Sequence, residues 1–188
     1  MADEQELPEH VRRNRAYWDA QAAEYAGPGE RNWSASEPSW GIWDIPEHEV
    51  RLLPDELAGR DVIELGCGTA YVSAWLARCG ARVTGIDNSP AQRETARRLQ
   101  LQHGLEFPLL LGNAEEVPLP DASFDLAISD YGAALWADAG QRLPGDGPRR
   151  AASAGWCSGH QQPGDPGLGQ ELALGGSLES AQAGQSGG

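Results

Sequence analysis

Residues 62–70 read Val62-Ile63-Glu64-Leu65-Gly66-Cys67-Gly68-Thr69-Ala70, an apolar run that ends in two closely spaced glycines. The run that begins at Asp61 predicts a short buried strand. Gly66 and Gly68 allow a tight turn because glycine carries no Cβ. A helix is predicted over residues 70–79, and its first turn offers free backbone N–H groups. A strand, a glycine turn and a helix in succession indicate the first half of a β-α-β unit.

The chain beyond this stretch keeps alternating between strands and helices. Strands are predicted at residues 61–65, 82–86, 107–111 and 126–129, with helices at 70–79 and 89–102. Such alternation is typical of an α/β protein with right-handed crossovers. The fold class that we expect is a Rossmann-like, doubly wound parallel sheet. The predicted sheet has about four strands and is incomplete.

Three parts of the chain differ in composition. Residues 1–58 are predicted to form an N-terminal helical cap segment, with helices over 8–26 and from Asp44 to Leu53. Residues 59–137 hold the Rossmann-like core, and residues 138–188 form a low-complexity tail. Trp33, Trp40 and Trp43 lie in residues 1–58, and two interpretations of them are open. They either pack on the edge of the core or cap a ligand.

Composition excludes several classes of function. Acidic residues number 28 and basic residues 14, so a net charge of -14 argues against nucleic-acid binding. The three cysteines form no CxxC pair, and no histidine has a partner at metal-ligand spacing, so we expect neither disulfides nor a metal. The N-terminus is acidic, and no apolar run is long enough for a membrane helix. We therefore expect a cytoplasmic protein that does not bind membranes.

Two acidic residues, Glu64 before the glycine turn and Asp87 at the end of the second strand, indicate the kind of ligand. Asp87 closes the second strand, where a carboxylate accepts both hydroxyls of a ribose. A nucleoside-containing ligand is therefore expected. A dinucleotide would favour glycine at the position of Tyr71, and its pyrophosphate would be repelled by Glu64. Both residues favour a cationic nucleoside over NAD, although an NAD-dependent oxidoreductase stays an alternative.

Four motifs in order resemble the class I S-adenosylmethionine-dependent methyltransferases, of the type 11-like group. The segments that carry the resemblance are residues 62–70, 82–89, 112–120 and 121–125. The resemblance implies S-adenosylmethionine as the cofactor and methyl transfer to a small-molecule acceptor as the activity. A non-catalytic S-adenosylmethionine-binding or interaction module is the alternative from another functional class.

The resemblance also implies a role for individual positions. The methionine end of the cofactor is expected at Glu64 and the turn Gly66-Cys67-Gly68, where Cys67 serves as a small residue that fits. Asp87 is expected to bind the ribose, with Asn88 beside the adenine. The adenine edge is expected at Asn113 and Ala114, with Glu115 orienting their loop. Ser129 is also expected among the cofactor-binding residues.

Two departures from the family pattern predict weakened cofactor binding. Ala70 replaces a frequent glycine, and Asn113 replaces an aspartate whose charge would assist an adenine hydrogen bond. Asp130 and Tyr131 follow the fourth strand, beside the place that the methyl group would leave, and are candidate acceptor-binding residues. No residue is assigned as a catalytic base.

The tail from residue 138 contains no Val, Ile, Phe, Tyr or Met, and it is predicted to be disordered. We interpret it as a truncation or an out-of-frame translation of the family's later strands, since a one-nucleotide shift at residues 143–150 can encode a helix start. Loss of those strands would leave the fourth strand as an open edge. This predicts self-association at the sheet edge and a possible loss of activity.

Overall fold

A computed structural model of the chain describes residues 7–120, 122–133 and 151–154. The helices are α1 (Glu9–Ser34), α2 (Glu47–Val50), α3 (Tyr71–Arg78) and α4 (Pro90–His103). The strands are β1 (Ser39–Trp40), β2 (Ile45–Pro46), β3 (Asp61–Leu65), β4 (Arg82–Asp87), β5 (Leu109–Leu111), β6 (Leu126–Asp130) and β7 (Ala151–Ala154).

A parallel sheet in the order β5-β4-β3-β6-β7 forms the centre of the fold. β3 lies between β4 and β6, with Ile63 opposite Thr84 on one side and Ala127 on the other. The chain therefore leaves β3 toward one edge and returns on its other side, which makes the junction of β3 and β6 the point where strand order reverses. Open α/β sheets bind ligands at the carboxyl ends of strands beside such a point. The expected Rossmann-like α/β class is confirmed.

Alternate residues of β3 face opposite sides of the sheet, as the pleat requires. Val62 packs into a cluster with α3 and α4, to which Val72 and Leu99 contribute fully buried side chains. Ile63 belongs to the cluster on the other face, together with Ile86. Both faces of the central strand are therefore apolar, which explains the continuous hydrophobic run that predicted it.

Helix α1 is longer than predicted. The expectation of an end at residue 26 was wrong, because the helix continues through Gly27-Pro28-Gly29 to Ser34. Pro28 removes one backbone N–H and disfavours a helix interior by about 3 kcal/mol. Tertiary contacts offset this cost: Trp33 is 1% exposed, and its Nε1 donates to the carbonyl oxygen of Thr69 over 2.8 Å.

The segment before β3 also differs from the prediction. Helix α2 covers only Glu47–Val50, and Asp44 does not cap it, since its φ of 50° places it in a left-handed turn. That turn joins β1 to β2 in an antiparallel hairpin. Trp40 is buried, whereas Trp43 is 52% exposed. Trp33 and Trp40 are therefore core residues.

A fifth strand pairs with β6 where an open edge was expected. β7 runs parallel to β6, with Ala127 opposite Ala151 and Asp130 opposite Ala154. The sequence Ala-Ala-Ser-Ala lacks the β-branched and aromatic residues that mark strands, so composition alone did not reveal it. Backbone hydrogen bonds to β6 provide the reason for pairing. The rest of the proposed tail, and the frameshift interpretation, lie outside the described residues.

Across the described ranges, no helix has both the length and the apolar character needed to cross a membrane.

Candidate cofactor and acceptor site

The glycine turn after β3 is held by backbone contacts that require glycine. Gly66 has a φ of 70°, and a Cβ added to it would lie 2.4 Å from the backbone nitrogen of Ala133. Gly66 and Cys67 both donate their N–H groups to the carbonyl oxygen of Ile86. Gly68 has a φ of 52°, but a Cβ there would meet only Gln92 Oε1, at 3.9 Å. The turn is thus closely packed at Gly66 and open at Gly68.

Asp87 links the end of β4 to this turn. Its Oδ2 accepts the N–H of Gly68 over 2.7 Å, and its Oδ1 accepts the N–H of Ser89 over 2.7 Å. Withdrawal of this carboxyl from water raises its pKa, and the two N–H donors act in the opposite direction. The acid at the end of one strand and the glycine turn at the end of the next therefore form one polar unit.

Glu64 and Ser129 lie behind the turn, outside the lining of the cavity described below. Glu64 is 1% exposed, and its Oε2 accepts the backbone N–H of Ser73 in α3 over 2.8 Å. Burial raises the pKa of Glu64 to about 8, although the Ser73 hydrogen bonds oppose the shift. Ser129 donates its hydroxyl to the carbonyl oxygen of Leu65. The raised pKa of Glu64 reduces its negative charge at neutral pH, so Glu64 repels a pyrophosphate less than the sequence predicted.

The loop after β5 approaches the start of α1. The backbone N–H of Glu115 donates to Oδ1 of Asn113 over 3.1 Å, so the amide oxygen expected to face a ligand is engaged within its own loop. The side chain of Glu115 lies 2.8 Å from His10 Nε2. Asn88 donates its side-chain amide to the carbonyl oxygen of Val11. These contacts bring the loop, the residue after Asp87 and the N-terminal helix together.

Asp130 ends β6 directly across from the glycine turn. Tyr71 donates its hydroxyl to Oδ2 of Asp130, while Oδ1 is buried with no hydrogen-bond partner among the described residues. Burial raises the pKa of Asp130, although the Tyr71 hydroxyl and the nearby backbone N–H of Gly41 lower it. Burial and the charge of Asp130 raise the pKa of Tyr71 well above its ordinary value. Tyr131 follows with a φ of 51°.

One cavity of about 470 Å³ unites most of these residues. Its lining includes ten of the residues expected from the sequence: Gly66, Cys67, Gly68, Asp87, Asn88, Asn113, Ala114, Glu115, Asp130 and Tyr131. Its size suits a nucleoside-sized ligand, since small-molecule pockets are typically ~300–1,000 Å³. The predicted positions therefore converge on one space, with Glu64 and Ser129 supporting it from behind.

Helix α1 supplies a cavity wall that sequence reasoning missed. Asn14, Trp18 and Tyr25 line the cavity. Trp18 and Tyr25 contact each other edge to face, with ring centroids 5.4 Å apart. An aromatic face packed on a core and one lining a cavity give the same periodicity, so the sequence had no signal that separates them.

The hairpin and Tyr71 form the remaining part of the lining that was not predicted. Gly41, Ile42 and Asp44 come from the hairpin, and Tyr71 from the first turn of α3.

Within residues 7–120, 122–133 and 151–154, no group of histidine, cysteine and acidic residues has the arrangement of a metal site. Cys67 is buried, which raises the pKa of its thiol well above the ordinary value and suits a packing role.

A family described as "Methyltransferase domain" matches residues 62–143. Over these residues the chain is therefore similar to methyltransferase domains. The match begins in β3 and includes the glycine turn, Asp87 and Asp130. It therefore covers the sheet elements that build the cavity, whereas the helix α1 wall lies before it.

Similar proteins include two O-methyltransferases. The chain is 41% identical to malonyl-[acyl-carrier protein] O-methyltransferase of Serratia marcescens over 71 residues, which are 38% of this chain and 26% of that protein. It is 35% identical to the ubiquinone biosynthesis O-methyltransferase of Methylocella silvestris over 79 residues, 42% of this chain and 31% of that protein. The crystal structure of an S-adenosylmethionine-dependent methyltransferase from Mesorhizobium loti matches 43% of this chain and 36% of its own, with 32% identity and a TM-score of 0.37. The chain thus spans about a third or less of the length of these curated relatives.

Proposed function

We propose that this chain binds S-adenosylmethionine and transfers its methyl group to a small-molecule acceptor. The observation that carries the proposal is the hydrogen bond from Gly68 to Asp87 in the lining of the cavity. It joins the glycine turn at the end of β3 to an acid at the end of β4, beside the point where strand order reverses. A nucleoside ligand needs both features next to each other.

The residues present fit this cofactor. Gly66 and Gly68 leave the backbone of the turn free of Cβ atoms, so a ligand can approach it closely. Asp87 has acceptor capacity for ribose hydroxyls, because a carboxylate offers more lone-pair sites than the two N–H groups use. The cofactor carries a sulfonium and an amino group and no phosphate, and Arg31 is the one arginine or lysine among the described lining residues. When bound, the cofactor supplies a methyl group on a positively charged sulfur.

The chain's own contribution is binding, orientation and exclusion of water. Aromatic side chains of Trp18 and Tyr25 form one wall of the cavity. Alignment of two reactants can be worth about 7–11 kcal/mol, so a methyl transfer needs little more than a positioned acceptor. We assign this positioning to Asp130 and Tyr131, and we assign to Glu64 and Ser129 the support of α3 and of β3.

Calorimetric titration of the purified chain with S-adenosylhomocysteine tests the proposal. We expect one site with a Kd in the micromolar range, about -8 kcal/mol. NADH serves as the comparison ligand, because the same fold position hosts dinucleotides in other families. A chain that binds NADH more tightly than S-adenosylhomocysteine, or binds neither while folded, contradicts the proposal. Binding of S-adenosylhomocysteine without consumption of S-adenosylmethionine by any acceptor would assign the chain to non-catalytic cofactor binding.

A further inference from the structure

Six residues that line the cavity are not among those assigned to the cofactor, and we call them the acceptor end. They are Gly41, Ile42 and Asp44 of the hairpin together with Tyr71, Asp130 and Tyr131. A Cβ added to Gly41 would lie 3.7 Å from the Tyr131 ring, which shows how close the hairpin comes to the end of β6. This acceptor end is thus a composite of the N-terminal segment and the sheet.

Asp130 leaves one buried acceptor atom without a donor. The residue is 7% exposed and its Oδ2 accepts the hydroxyl of Tyr71, but its Oδ1 has no partner in the described residues. A buried polar atom without a hydrogen bond typically costs about 1–3 kcal/mol. A ligand group that carries N–H or O–H donors would remove this cost.

The charge of the acceptor end is negative. Besides burial, the charges of Asp130 and Asp44 raise the pKa of the Tyr71 hydroxyl, which places both acids near it. None of the ion pairs between described residues involves Asp44 or Asp130. Arg31 also lines the cavity, and none of the ion pairs between described residues joins it to either acid. A carboxylate ligand would meet two unpaired acids, whereas an ammonium group would pair with them.

The same end also offers apolar and aromatic surface. Ile42 lines the cavity and is 63% exposed, so its side chain stands at an open part of the lining. Tyr71 and Tyr131 are aromatic residues of the same lining, and a cation above an aromatic ring face gains roughly 0.5–2 kcal/mol. An apolar or aromatic body with a basic group matches both surfaces.

We infer that the acceptor end of the cavity takes an amine carried on an apolar or aromatic body, with its N–H groups directed to Asp130. This inference rests on the proposed function and names its substrate class. It adds Asp44 and Tyr71 to the residues that set specificity. A neutral alcohol can donate a hydrogen bond to Asp130 but carries no positive charge to pair with the acids. A carboxylate offers neither the donor nor the positive charge.

Three probes with the same ring separate these cases: phenethylamine, 2-phenylethanol and phenylacetate. Each is titrated calorimetrically into the full chain saturated with S-adenosylhomocysteine. We expect phenethylamine to bind at least tenfold more tightly than phenylacetate, with 2-phenylethanol between them. The variants Asp130→Asn and Asp44→Asn each reduce that preference at least threefold. Asp44 is exposed, so its variant keeps the test available where Asp130→Asn fails to fold.

The inference is overturned where phenylacetate binds as tightly as phenethylamine, where no probe binds, or where the preference survives in both variants. If the chain still binds S-adenosylhomocysteine in any of these cases, the proposed function is unaffected. A folded chain that binds no S-adenosylhomocysteine refutes the proposed function and this inference together. The binding of S-adenosylhomocysteine by each variant also reports whether its cavity is still formed.

Discussion

The backbone N–H of Gly68 lies 2.7 Å from Oδ2 of Asp87, so the turn after β3 and the acid that ends β4 are directly bonded. This hydrogen bond joins the glycine turn to Asp87, the two sequence features that predicted a nucleoside ligand. It also means that a change at Asp87 affects the turn as well as any ligand.

Replacing Asp87 tests that dual role. Asp87→Asn keeps the shape of the side chain but can accept only at one oxygen, so one of the N–H groups of Gly68 and Ser89 loses its partner. We expect the affinity for S-adenosylhomocysteine to fall at least tenfold, with a loss of about 1–2 kcal/mol of unfolding free energy. Glu116→Gln removes an exposed acid of the loop after β5 and serves as the control, for which both quantities should stay unchanged. Equal affinities in Asp87→Asn and the control would remove Asp87 from the site.

The two glycines of the turn should respond differently to alanine. A methyl group on Gly66 would lie 2.4 Å from the Ala133 nitrogen, whereas one on Gly68 comes no closer than 3.9 Å to Gln92. Gly66→Ala is expected to lose about 3 kcal/mol or more of unfolding free energy. Gly68→Ala should lose only the roughly 1–2 kcal/mol of a left-handed alanine, but should bind S-adenosylhomocysteine at least tenfold more weakly. Urea unfolding and calorimetry measure the two effects, and similar stabilities for both variants would contradict the described packing.

Glu64 makes the stability of the fold depend on pH. Its pKa is raised from 4.5 to about 8, so its stabilising contribution is complete below pH 4.5 and is lost as the pH rises toward 8. Each pH unit in that window removes up to about 1.4 kcal/mol. Glu64→Gln carries no titrating proton, so its unfolding free energy should fall less between pH 5 and pH 8 than that of the parent chain.

Glu106→Gln is the matched control for this experiment, since Glu106 is exposed and its replacement also removes one negative charge. Its pH dependence should follow the parent chain. Urea unfolding at several pH values gives the comparison, and parallel curves for Glu64→Gln and Glu106→Gln would show that Glu64 does not titrate as described.

Arg51 provides a stability prediction outside the site. It ends α2 with a φ of 51°, in the left-handed region that glycine adopts without strain. Arg51→Gly should raise the unfolding free energy by roughly 0.5–1 kcal/mol. Arg51→Ala removes the same charge and keeps the strain, so it should show no gain. A thermal melt distinguishes the two, and an equal rise in both variants would point to the lost charge instead of the backbone.

The sheet and its first loops were predictable because their signals are local. The apolar run of β3 and the start of α4 near residue 89 each depend on signals within a few residues, and both elements are present. Ser89 Oγ accepts the N–H of Gln92 at the start of α4, which provides the local signal there. The glycine turn was similarly visible, since its conformation depends on residues that lack a Cβ.

The parts that were missed depend on contacts between distant residues. Helix α1 passes through Pro28 because Trp33 bonds to Thr69, a partner 36 positions away. The hairpin around Asp44 and the pairing of Ala151–Ala154 with β6 also depend on residues far along the chain. Glu64 was expected in contact with a cofactor. Only the structure shows that its carboxyl is directed to Ser73.

The contacts of α1 set the order in which this cavity can be assembled. The helix is complete by Ser34, yet its partners include Ser89, Asn88 and Glu115, and His10 and Glu115 are 105 positions apart. A chain made from its N-terminus therefore presents Trp18 and Tyr25 to water long before the sheet that they face exists. During synthesis at roughly 5–20 residues per second, that exposure lasts several seconds. The N-terminal wall of the cavity is thus made first, but its contacts with residues 88–115 form only after those residues have been synthesised.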